Sequence, residues 1–93
     1  MFDKMKQLME FKKQAEAIKK ELNQTALEVD QGRGIRVTIN GAQDFQQIVI
    51  DPSRLVTDEK AALERDLLET VNAAVKKSQE VATRKMSSVM PQF

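Results

Sequence analysis

Residues 32–52, GRGIRVTINGAQDFQQIVIDP, decide the fold. Ile35, Val37 and Ile39 alternate with Arg36, Thr38 and Asn40, the period of two that gives a strand one apolar and one polar face. A second β-rich run, Phe45 to Ile50, follows Asn40-Gly41, a pair that tolerates the positive φ of the tight primed hairpin turns. Asp51-Pro52 then stops the ladder, because proline has no N–H to donate and biases its predecessor towards an extended shape. Upstream, TALEVD at residues 25–30 alternates Leu27 and Val29 with polar neighbours, and Gln31-Gly32-Arg33-Gly34 turns the chain. The result is a three-stranded antiparallel meander over about residues 25–30, 35–40 and 44–50. Leu27, Val29, Ile35, Val37, Ile39, Ile48 and Ile50 are the candidates for its packed face. In a regular register Phe45 and Val49, of opposite parity to Ile48 and Ile50, lie on the other face.

Helical segments flank this sheet. Before it, Met5, Leu8, Phe11, Ala15, Ile18 and Leu22 fall at spacings of three and four, which predicts a helix over about residues 2–23. Lysines at 4, 6, 12, 13, 19 and 20 alternate with acids and leave that segment at +2, with pairs such as Glu16–Lys20 at i to i+4. After it, Ala61 to Met86 carries a long apolar stripe with no internal Gly or Pro, a helix over about residues 58–87 with Thr57 or Asp58 as N-cap. Residues 58–70 of that helix are at −3 and residues 71–93 at +3, the order of charge that also complements a helix macrodipole. Residues 88–93 have no pattern and read as a loose tail. The fold class is α+β: a single domain over residues 1–93, α-β-β-β-α, with the meander between two long helices.

Composition narrows the function classes. The 93 residues are 41% hydrophobic and 31% charged with net charge +1, the balance of an ordered, helix-rich domain at the small end of what folds alone. No apolar run is long enough to cross a bilayer and the N-terminus has no signal-peptide core, so the expected place is the cytosol, with no membrane partner. With no His and no Cys, the commonest general base, the nucleophile–base pairs and thiolate or imidazole metal sites are missing. Glu28, Asp30, Asp44 and Asp51 have no spacing that suits a metal loop or an acid/base pair, so neither catalysis nor a cofactor nor a small-molecule substrate is expected.

Length adds a further expectation. A strand of about six residues spans about 20 Å while a helix of about 30 residues spans about 45 Å, so the second helix overruns its own sheet. A second copy of the chain, in a symmetric dimer with projecting helices, is the economical cover. The basic ends of such arms suit a polyanion: Lys76, Lys77, Arg84 and Lys85 are the first candidates for phosphate contacts, with Lys4, Lys6, Lys12 and Lys13 second. On the residues alone a second reading stands beside this one: a non-catalytic interaction or scaffold module, whose helical stripes bind partner helices and whose charges keep the arms soluble.

The run Gly32-Arg33-Gly34-Ile35-Arg36-Val37-Thr38-Ile39-Asn40-Gly41, followed by Ile48-Val49-Ile50-Asp51-Pro52-Ser53-Arg54-Leu55, resembles the YbaB/EbfC family of bacterial nucleoid-associated proteins. The opening Met-Phe with its Met/Gln/Lys-rich helix, Asn72-Ala73-Ala74 and Lys85-Met86 extend the resemblance over nearly the whole chain. Gln31 and Arg33 stand where the family commonly has glycine. The resemblance implies a tweezers-like homodimer that binds duplex DNA with limited sequence preference. It implies a non-enzymatic role in nucleoid organisation and gene regulation. Asn40, Gly41, Asp51 and Pro52, which carry the signature, read as turn chemistry and not as DNA contacts.

Overall fold

The computed structural model describes residues 2–88. The chain runs α1 (Phe2–Gln24), β1 (Ala26–Asp30), β2 (Ile35–Asn40), β3 (Phe45–Ile50), 3-10 turns at Pro52–Arg54 and Thr57–Glu59, and α2 (Lys60–Ser87). The strands pair antiparallel in the order β1-β2-β3, as their alternation requires. α2 lies across β1 and β2: Ile35, Val37, Ile39 and Ala74 form the buried core, with Leu27, Val29, Leu63, Leu67, Val71 and Val75 packed around it. Residues 89–93, most of the expected tail, lie outside the described residues.

Three local expectations need correction. Phe45 is not on the outer face. A bulge between Thr38 and Ile39 lets Ile39 pair with Phe45 and Thr38 with Gln47, so Gln46 is the extra residue and Phe45 returns to the helix side. Val49, opposite Arg36 beyond the bulge, stays outside. The Asn40-Gly41 turn is not of the primed type either. Gln43 N–H donates to Asn40 O at 3.2 Å, and the positive φ, 67°, falls on Gln43. Gly41 is required for space, because a Cβ there would stand 2.6 Å from Leu22 Cδ2 and 3.2 Å from Leu22 Cα. Finally, α2 begins at Lys60 with no side-chain cap; Thr57–Glu59 winds into a 3-10 turn whose backbone bonds, such as Glu59 N to Val56 O at 2.9 Å, take the place of a capping hydroxyl.

A polar clasp fixes the start of α2 to the sheet. Arg54 Nη2 donates to Asp66 Oδ2 at 2.9 Å, its Nη1 donates to the Arg33 carbonyl, and Arg33 pairs with Asp66 and Glu69. The Arg54 hydrogen bond holds the Asp66 carboxyl below the usual carboxylate range, against the upward pull of partial burial. Thr70 Oγ1 donates to Asp66 O at 2.8 Å and lies 3.4 Å from the Gln31 amide oxygen. Gln31 and Arg33, the departures from a glycine-rich turn, thus tie that turn to α2. Gly34, at φ 76°, lets the Arg54 side chain pass, since a Cβ would meet Arg54 Cγ at 2.8 Å.

Candidate nucleic-acid interface

α1 reaches the sheet at the point from which α2 leaves it, and one buried residue joins the two. Asn40, 4% exposed, ends β2. Its Oδ1 accepts from Ala42 N at 3.0 Å and Asp44 N at 2.9 Å, while its Nδ2 donates to Asn23 O of α1 at 3.3 Å. Its carbonyl accepts from Ser78 Oγ of α2 at 2.8 Å, and the adjacent Gly41 N–H donates to Leu22 O at 2.9 Å. Among the described side chains of α1, Ile18 and Leu22 are buried; from Asp3 to Glu10 every side chain is exposed. Next to Leu22, the carboxylate of Glu21 on α1 accepts from Nζ of Lys85, about two turns beyond Ser78 on α2. The molecule is accordingly 68 Å long with a radius of gyration of 18.6 Å, against about 12 Å for a compact chain of this size.

Charge follows this division. The arm, residues 2–24 with 76–88, carries ten bases and five acids, a net +5. Residues 25–75, the sheet and the proximal part of α2, carry five bases and nine acids, a net −4. The near-neutral whole conceals a strongly polar molecule, cationic at the end that projects.

The candidate cations do not all face the same way. Lys76 and Arg84 are exposed and line one shallow depression on the outer side of α2 with Gln79, Glu80 and Thr83. Lys77 points back to the sheet, where its Nζ donates to Glu28 O at 3.2 Å, and Lys85 is held by Glu21. Lys4, Lys6, Lys12 and Lys13 are all exposed on α1. Glu16 and Lys20 make no ion pair; the i to i+4 pair among the described residues is Lys60–Glu64, at 3.3 Å. Lys20 joins the candidates on α1: its spacing from Lys6 and Lys13, seven residues each time, places all three on one side of the helix, away from Ile18 and Leu22. Lys19 is exposed beside them.

Comparison with known proteins bears on the helix–meander–helix body as a whole. The profile of the YbaB/EbfC DNA-binding family matches residues 1–93. The chain belongs to the YbaB/EbfC DNA-binding family. A "nucleoid-associated protein" of Moorella thermoacetica is 34% identical over 86 residues, covering 91% of this chain and 83% of that one. The crystal structure of the uncharacterized protein HP0035 from Helicobacter pylori superposes with a TM-score of 0.77 over 90% of each chain. At 22% identity that likeness speaks for the fold alone. In this YbaB/EbfC chain the signature residues stand at strand ends and turns: Asn40 and Gly41 at the arm junction, and Asp51, whose carboxyl pKa is lowered by hydrogen bonding to the Ser53 side chain and to Ser53 N at 2.9 Å.

Proposed function

We propose that this protein is a nucleoid-associated protein that binds duplex DNA as a homodimer, with little sequence preference, and contributes to nucleoid organisation and gene regulation in the bacterial cytoplasm. The observation that carries this reading is the +5 arm on a body of −4, since a separated cationic surface binds phosphates where an evenly mixed one of net +1 does not. Lys76 and Arg84 on α2, with Lys4, Lys6, Lys12 and Lys13 on α1, supply the phosphate contacts. Lys77 and Lys85, candidates of the same rank by sequence, each also make one internal contact, to Glu28 O and to the Glu21 carboxylate. No cofactor, small-molecule substrate, membrane contact or catalytic step enters this function.

The homodimer is supported by apolar surface that one chain leaves open. On α2, Lys77 reaches β1 and Thr70 the turn that follows it, so Leu68, on the opposite flank of the helix, is turned to the side of β3. Leu68 is 61% exposed there, and Phe45 at 43% and Ile48 at 47% are exposed on the helix side of β3. A second copy seated on this strip would leave both arms projecting. Binding of a random-sequence duplex, followed by fluorescence anisotropy, tests the function. Affinity should fall steeply between about 50 and 200 mM salt. Lys76→Ala with Arg84→Ala should weaken all sequences alike and flatten the salt dependence; a folded double variant that binds like wild type would remove the assignment.

A scaffold reading is favoured by one feature, the exposed Met5, Leu8 and Met9 near the start of α1. Its test is a pull-down from nuclease-treated extract: stoichiometric protein partners in the absence of DNA support it.

A further inference from the structure

The outer part of α1 works as a lever. Its lysines stand on a helix anchored over its last turns, at Ile18, Leu22 and the Asn40–Gly41 junction. From Leu22 to Lys6 the helix rises about 24 Å, so a tilt of about 10° at the junction displaces Lys6 by about 4 Å. A rigid duplex presents its phosphates at set positions, and a displacement of that size costs contacts without removing any charge. Among the described residues the ion pair between the arm's helices is Glu21–Lys85: Glu21 lies between Ile18 and Leu22 on α1, and Lys85 stands about two turns beyond Ser78 on α2. Lys85 lies at helical spacing with Ser78 and Val81, on the side of α2 turned to α1, and its side chain is 31% exposed.

We propose that the angle of α1 to α2 is itself a determinant of DNA binding, and that Lys85 with Glu21 is a positioning pair that holds this angle, not a phosphate contact with a neighbouring acid. This deepens the DNA-binding reading above and rests on it. Two accounts of Glu21 then predict opposite signs. If charge alone governs binding, Glu21 is an acid in a cationic arm, and its neutralisation strengthens the complex. As a brace, Glu21 is needed, and its neutralisation weakens the complex even though the protein becomes more positive.

The experiment compares wild type, Glu21→Gln and the exchange Glu21→Lys with Lys85→Glu, on one random-sequence duplex, with circular dichroism to verify helix content. Glu21→Gln should bind about two- to fivefold more weakly, the span that a partly exposed ion pair allows. The exchange, which restores a pair at unchanged net charge, should return most of the loss. Gly41→Ala, which pushes on Leu22 without altering charge, should weaken binding in the same direction. Binding by Glu21→Gln equal to or tighter than wild type overturns the brace, as does an exchange variant no better than Glu21→Gln. A wild-type protein that does not bind the duplex overturns the DNA-binding reading itself, and the brace with it.

Discussion

At the scale of single residues, the junction depends on two positions with no slack. Gly41 is packed on Leu22 so closely that Gly41→Ala must move α1 or the hairpin, a strain of about 1–3 kcal/mol that urea unfolding would register. Asn40→Ala removes the acceptor of two backbone N–H groups and a donor to α1 in a site 4% exposed; a loss of about 2 kcal/mol or more is expected by the same measurement. Asp66 supplies a pH signature. Its pKa is lowered in the folded chain by the Arg54 hydrogen bond, so its stabilisation is fully present above the ordinary carboxylate pKa of about 3.9 and is lost as pH falls through the lower folded value. Asp66→Asn should therefore lower stability at neutral pH and flatten the acid limb of the unfolding midpoint plotted against pH.

At the scale of elements, the bulge in β3 explains why parity failed as a guide. Alternation assigns faces only while the ladder stays in step, and Gln46 adds one residue to β3 opposite Ile39. Deleting Gln46 should leave Phe45 opposite Ile39 in a regular ladder and keep the fold; a cross-strand nuclear Overhauser contact between Ile39 and Phe45 in the deletion variant checks this. α2 shows the same dependence on its surroundings. Its apolar stripe is continuous, but the sheet covers the part that meets β1 and β2, and Leu68 on the far flank is left open. Charge order along α2 suits its dipole, yet Lys85 in its last turn also serves Glu21 of another helix.

At the scale of the whole molecule, the open strip and the polar charge distribution belong together. Ile48→Asp or Leu68→Asp, which places a charge on the strip without disturbing the buried core, should give a folded monomer by sedimentation. Such a monomer should bind DNA at least tenfold more weakly, since two arms on one dimer act as a linked pair of sites. A variant that stays dimeric would move the interface elsewhere on the protomer.

The amino-acid sequence by itself determined the order of elements, the antiparallel meander, the packed residues of β1 and β2 and the cationic character of α1 and distal α2. Each of these rests on local periodicity or on charge counted along the chain. The family signature was legible for the same reason, as turn chemistry at fixed separations. Only the tertiary structure decided that Phe45 lies on the helix side of the sheet, that Gly41 is there to admit Leu22, and that Lys77 and Lys85 contact Glu28 and Glu21 while Lys76 and Arg84 line one exposed depression. Those facts hang on residues far apart in the chain, Glu28 with Lys77 and Glu21 with Lys85, which no repeat of two or of 3.6 brings into register. The meeting of α1 with distal α2, which concentrates a charge of +5 in one arm, is of the same kind: a sum over two segments that become neighbours only when Asn40 joins them.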